Sequence, residues 1–252
     1  MTSVKDIYDY IDSFAPFSTQ ESYDNAGILV GDPCGEVRRV LLALDITTAV
    51  VKEAARQGVQ LIISHHPIIF RPVKNVLKDT ALYALVRSGI SAICAHTNLD
   101  KSPEFGVNTV LSDKMGLINR TVSEKDGILF TAETESPVSA AEFAATVKAA
   151  LGLGGICYTD GGRKINKVGF CSGAGGDEIF AAFADGCDAF VTGEIKHHEI
   201  IFAGENHISA FVLGHFGSEN PVIKPLAEKL SGRFPNVEFT VMQNDTDGVL
   251  FN

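Results

Sequence analysis

The apolar positions of this chain alternate between helical stripes and short, dense runs of strand length. Ser3 followed by Val4, Ile7, Tyr8 and Ile11 gives an N-cap residue and one apolar helix face that stops before Pro16. Residues 37–44 form a strand-length run, Thr47 or Thr48 caps a helix that stops at Gly58, and residues 59–63 form a second buried strand. That strand–helix–strand spacing predicts a parallel crossover. The pattern continues with a helix over 80–87 stopped by Gly89, a strand over 90–95 and a helix over 107–115. A stretch of changing pattern then runs through Ser136. After it come a helix at 139–151, a Gly-rich turn at 152–162, a strand at 167–171, a helix at 177–184 and a strand at 189–191. A strand at 208–213, a helix at 221–230 and a closing strand at 237–242 complete the reading.

A shift of 128 residues lays one strand–helix–strand unit over another without a gap: Val40 falls on Val168, Ala54 on Ala182 and Gly58 on Gly186. The shared apolar register carries this repeat more than the three identities do. The expected fold is α/β: two similar α/β lobes with largely parallel central sheets flanked by helices. Residues 1–125 plus 220–252 are assigned to the first lobe and 126–219 to the second. The closing strand is expected to rejoin the first lobe.

Open α/β sheets bind ligands at the carboxyl ends of their strands. The histidines of this chain gather there: His65 and His66 after one strand, His96 and Asp100 after the next, His215 after a later one and Glu219 four residues on. Adjacent residues of a regular strand point to opposite faces, but Pro67 ends the ladder and lets both imidazoles of the pair turn toward one crevice. A His-His pair by itself also serves as core or surface filling. Agreement among three strand ends favours a ligand set of His65, His66, Asp100, His215 and Glu219. Imidazole and carboxylate suit Zn, Mn, Fe, Co or Ni, and five such donors are enough for two divalent ions. The site is expected in the cleft between the lobes. His96 could either ligate or orient the turn that carries Asp100.

Other motifs carry weaker signals. Residues 192–198, TGEIKHH, place a second His pair after a strand, where Glu194, Lys196 or His197 could bind an anion or pass protons, and where a solvated helix end is the alternative. His207 reads as a strand-edge histidine. SGAGGD at 172–177 is either a phosphate cradle or a tight turn capped by Asp177; it is not GxGxxG and lacks GK[ST]. YDNAGILVG at 23–31 reads as a turn, and spacing alone gives Asp24 and Asn25 no role. No GxSxG elbow is present and no cysteine neighbours a histidine, so Ser or Cys nucleophilic catalysis has no local support.

Composition narrows the partners. With 21 Lys+Arg against 31 Asp+Glu the formal charge is −10, and no basic block occurs, which disfavours extended nucleic-acid or anionic-membrane surfaces. A hydrophobic share of 45% excludes a disordered chain. The five cysteines are odd in number, widely spaced and free of CxxC, so they read as reduced thiols of a cytoplasmic protein. No segment has the pattern of a signal peptide or a membrane span.

YDNAGILVG (23–31), SHHPIIF (64–70), AHTNLD (95–100), SGAGGD (172–177), TGEIKHH (192–198) and GHFGSE (214–219) together resemble, in order and over nearly the whole chain, the YbgI-type family of GTP cyclohydrolase I type 2 homologues. The length is similar to the family's short form, without the domain inserted in longer members. The resemblance implies two α/β lobes, a toroidal homohexamer and a dinuclear metal site on His65, His66, Asp100, His215 and Glu219. One departure is Tyr23 where members often have Trp; this chain has no Trp.

Two functional classes follow. The first is a dinuclear metal-dependent hydrolase that opens the imidazole ring of GTP with formate release. Metal would lower the pKa of water from about 15.7 toward about 7. Glu219 would bridge the ions and His197 would serve as acid–base group, and another nucleotide or phosphoester would fit the same site. The second class is a non-catalytic metal-binding regulatory or scaffold protein. Two divalent ions against Asp100 and Glu219 leave a local charge of about +2, so an acidic chain could still hold an anionic nucleotide.

Overall fold

The computed structural model describes residues 1–123, 127–243 and 248–249. The chain divides into two compact units; of the described residues, one holds 1–105 and 222–243, the other 106–221 and 248–249. The first unit begins with α1 (Val4–Phe14), β1 (Gly27–Val30), β2 (Arg39–Ala43), α2 (Thr48–Gln57), β3 (Leu61–Ser64), α3 (Ala81–Arg87), β4 (Ser91–Cys94) and α4 (Thr97–Asp100). The second contains α5 (Val107–Lys114), β5 (Ile118–Val122), β6 (Phe130–Val138), α6 (Ala140–Leu151), β7 (Cys157–Tyr158), β8 (Ile165–Cys171), α7 (Ile179–Ala184), β9 (Ala189–Thr192), α8 (His197–Glu205), β10 (Ser209–Val212) and α9 (His215–Glu219). The chain then returns to the first unit with α10 (Ile223–Arg233) and β11 (Glu238–Val241).

The first sheet has the order β1-β4-β3-β2-β11, with β11, β2, β3 and β4 parallel and β1 antiparallel at the edge. Every residue of β3 and β4 is buried, as the unbroken apolar runs of a two-side-covered parallel sheet require. Leu41, Val50, Ala54, Ile62, Leu85 and Ala92 form the core between sheet and helices. Helix α1 has the N-cap read at Ser3, which Asp6 completes as a capping box, and it buries Val4, Ile7, Ile11 and Phe14. The closing strand does rejoin this sheet, with Phe239 opposite Val40.

The second sheet has the order β5-β6-β8-β9-β10-β7. Only β8, β9 and β10 are parallel; β5, β6 and β7 extend the sheet in antiparallel pairs. The stretch of changing pattern thus holds the antiparallel pair β5 and β6. Leu111, Met115 and Leu117, just before it, share a core with Phe130, Phe170 and Phe211. Two segments read as turns are strands. Residues 27–30 pair with β4, and Cys157–Tyr158, both exposed, pair with the end of β10. Each is a short edge strand whose hydrogen bonds come from its neighbour, so neither shows a periodic apolar face.

The internal repeat extends to individual hydrogen bonds. Gln60 accepts from the backbone N–H of Arg38 and Arg39 at 3.0 and 2.9 Å, and Asp188, 128 positions later, accepts from Asn166 and Lys167 at 3.0 and 2.9 Å. Gly58 and Gly186 both end their helices at positive φ, and Ala54 and Ala182 are both fully buried. Ser64 donates to the carbonyl of His66, and Thr192 donates to that of Glu194. In both sheets the parallel strands end in register: Ala43, Ser64 and Cys94 in one, Cys171, Thr192 and Val212 in the other. The residues just past those ends therefore share an edge. Among the described residues no helix is long and apolar enough to cross a membrane.

Candidate metal centre

At the strand ends of the first unit the chain turns sharply after β3, and both rings of the His65-His66 pair come to the same side, with centroids 5.1 Å apart. His65 is buried, and its Nδ1 lies 2.8 Å from the carbonyl oxygen of Ala95. A carbonyl only accepts, so Nδ1 carries a proton and donates. Nε2 stands 3.6 Å from Oδ1 of Asp100, beyond hydrogen-bonding distance. Asp100, at the end of the single turn α4, is buried as well. His66 is fixed in the same sense: its Nδ1 donates to Oδ1 of Asp45 at 2.9 Å. Asp45 follows the end of β2, so this edge supplies both a donor ring and the carboxylate that orients it.

His96, at the turn before α4, is held by Oδ1 of Asp24 at 2.7 Å. The other oxygen of Asp24 accepts from the Thr97 hydroxyl at 2.5 Å and the Thr97 N–H at 3.1 Å. Burial alone would raise the Asp24 carboxyl; the hydrogen bonds from His96 and Thr97 outweigh it and bring its pKa to about 2. Nitrogens of His65, His66 and His96 lie within 4.8 Å of one another. His96 thus stands with the donor set in this unit, and Asp24, to which spacing gave no role, anchors it. Cys94 donates its thiol to the His65 carbonyl at 2.9 Å, and burial pushes its pKa well up, so it is a packing thiol and not a nucleophile.

In the second unit His215 and Glu219 open and close α9, and their spacing of four puts both on one helix face. His215 Nε2 and Glu219 Oε2 are 3.1 Å apart, while Nδ1 donates to Oε1 of Glu194 at 2.6 Å. The Gly-rich segment serves as packing around this pair. Gly173 has φ +60°, and a Cβ there would fall 2.0 Å from Oε1 of Glu219. A Cβ on Gly193 would meet the Ser218 hydroxyl and the Gly173 carbonyl at 2.6 Å. Ser218 binds the Gly173 N–H and donates to the His215 carbonyl, both at 2.9 Å. Space for a carboxylate accounts for the glycine at 173.

The donors fit a divalent cation. His65, His66 and Asp100 offer two ring nitrogens and a carboxylate in one unit; His215 and Glu219 offer a nitrogen and a carboxylate in the other. Each of these three imidazoles has Nδ1 committed to an oxygen acceptor, the arrangement that presents Nε2 as a metal ligand in a fixed orientation.

His197 and His198 lie apart from these contacts as exposed residues of the first turn of α8, with His198 stacked near Phe180. His207 is exposed in the turn before β10 at φ +55°. The residue of the 192–198 motif that reaches a donor is Glu194. The orienting carboxylate Asp45 escaped the sequence reading, although it directly follows the predicted strand 37–44; the sequence marks Glu194 as a group that could bind an anion or pass protons, not as the partner of His215.

The family model described as Duf34/NIF3 (NGG1p interacting factor 3) matches residues 2–248. A Campylobacter jejuni protein named "GTP cyclohydrolase 1 type 2 homolog" is 36% identical over 246 residues, covering 96% of this chain and 97% of its own. A Clostridium perfringens protein of the same name is 32% identical over 256 residues, covering 97% of each chain. The crystal structure of Staphylococcus aureus protein SA1388 superposes with a TM-score of 0.92 at 28% identity, over 100% of this chain and 99% of that one. The motif resemblance and these matches agree: the chain belongs to the Duf34/NIF3 family.

Proposed function

We propose that His65, His66, Asp100, His215 and Glu219 would hold two divalent ions, and that the protein is a metal-dependent hydrolase that opens the imidazole ring of GTP and releases formate. The observation that carries this reading is the shared orientation of the three imidazoles, each with Nδ1 bonded to an oxygen, which turns Nε2 of His65 toward Asp100 and Nε2 of His215 toward Glu219. The names of the C. jejuni and C. perfringens relatives point to the same substrate. Bound there, divalent ions would supply Lewis-acid charge and bring the pKa of water toward neutrality. Asp45 and Glu194 raise the basicity of His66 and His215 and fix their rings. Asp100 and Glu219 bring negative charge that offsets part of the metal charge, which leaves the centre cationic toward a nucleotide. His197 is assigned the acid–base role, and the active particle is a homohexamer.

A steady-state assay of metal-loaded protein with GTP tests the activity: formate release that disappears on chelation and returns with metal is expected. Full metal content without formate rejects GTP and leaves another nucleotide, a phosphoester or a non-catalytic regulatory role. His197→Gln should alter the pH profile of turnover at unchanged metal content. Light scattering should give six copies per particle.

A further inference from the structure

Two large aromatic side chains stand out in solvent beside the donors of the first unit. Tyr23 is 63% exposed and Phe70 41% exposed, with ring centroids 6.5 Å apart in an edge-on arrangement. Phe70 in turn meets His96 edge-on at 6.2 Å, and His96 meets His65 and His66 at 5.1 and 5.6 Å. A continuous aromatic wall therefore runs from the surface to the ring nitrogens. It is held from both sides. Asn25 donates to the carbonyl of Ile69 at 2.5 Å, tying the segment that bears Tyr23 to the one that bears Phe70. Asp24, next to Tyr23, grips His96 and Thr97. Two exposed aromatics fixed in this way cost apolar hydration, and neither belongs to the buried core cluster of the unit. Beyond Phe70 the exposed segment carries Arg71, Lys74 and Lys78, a cationic stretch in a chain of net charge −10.

We infer that Tyr23 and Phe70 form a stacking shelf for the flat heteroaromatic ring of a nucleotide-like anion. The ring lies against the wall with its edge toward His96 and His66, and its phosphates lie toward the cationic stretch. This rests on the reading of the centre as one that works on a ring compound, and it adds the recognition element. Stacking on an aromatic side chain tolerates any π-face, so the shelf selects for a ring as such; the metal donors then select the position attacked.

The chain has no tryptophan, so Tyr23→Trp keeps the ring and adds a single fluorescent reporter. In the full-length, metal-loaded protein, GTP, ATP and guanosine should quench its emission saturably after correction for absorbance. Ribose 5-phosphate and tripolyphosphate, which have no aromatic ring, should not. Phe70→Ala in the same background should weaken the apparent affinity about tenfold, at unchanged metal content, melting temperature and oligomeric state. No saturable quenching by any of the three ring compounds at full metal content overturns the shelf. So does a change of oligomeric state in Phe70→Ala, which would make these rings a contact between copies of the chain. Failure of the hydrolytic reading is separable: quenching without formate leaves the shelf in place. Formate release with unaltered KM in both Phe70→Ala and Tyr23→Ala removes the shelf and leaves the hydrolase.

Discussion

Glu194 accepts the Nδ1 proton of His215 at 2.6 Å, and in the repeat that relates the two units Glu194 occupies the position of His66. The same strand end thus bears a donor ring in one unit and an orienting carboxylate in the other. Neutralising that carboxylate weakens the basicity of Nε2 without removing a ligand. Glu194→Gln should lower the affinity for the ion on His215 by about 10- to 100-fold, measured by competition with a chelator, and leave the melting temperature of the metal-free protein within about 1 °C.

Gly173 is a second lever on the same pair. Alanine there must adopt φ +60° and place its Cβ 2.0 Å from Oε1 of Glu219, so the carboxylate or the turn has to move. Gly173→Ala should cost about 1–3 kcal/mol of stability and reduce bound metal, read by denaturant unfolding and elemental analysis. Gly152→Ala is the control: it ends α6 in the same left-handed conformation with open space around it, and should lose stability alone.

Asp24 makes part of the stability of the first unit pH-dependent. Its pKa is lowered from 3.8 to about 2, so its contribution is complete above 3.8 and disappears as pH falls toward 2. The shift corresponds to roughly 2 kcal/mol. Asp24→Asn should therefore be less stable than the parent by about that amount at neutral pH, with the gap closing on descent through 3.8. Denaturation midpoints measured as a function of pH report this directly. A gap that stays constant to low pH would mean that the carboxylate's charge is not what matters.

Gln60 and Asp188 hold equivalent strands by the same pair of backbone bonds. Gln60→Ala and Asp188→Ala should each destabilise by about 1–2 kcal/mol, with metal content unchanged, because neither touches a donor. A loss of metal in either variant would show that strand register, and not only the turn after it, sets the ligand positions.

The sequence made the parallel cores legible because β2, β3 and β4 are buried on both faces and write unbroken apolar runs, and because Thr47 and Gly58 mark the helix between them at both ends. It did not reveal β1 and β7, whose pairing depends on hydrogen bonds lent by a neighbouring strand. In the second sheet the antiparallel flanks were hidden for a related reason: β6 has three buried residues followed by six that are partly or fully exposed, so no single period describes it. The histidines drew attention because imidazole is rare and tied to metal chemistry. Asp24, Asp45 and Glu194 are ordinary surface residue types, and only the fold shows that each one ends on a ring nitrogen.

The central proposal is that five side chains hold two divalent ions, and anomalous diffraction recorded at the absorption edge of the loaded metal tests it most directly. Two peaks, together contacted by His65, His66, Asp100, His215 and Glu219 with nitrogen distances of about 2.0–2.1 Å for zinc, are the predicted result. A fully loaded crystal with metal elsewhere, or with a single ion that leaves His215 and Glu219 uncoordinated, would contradict it.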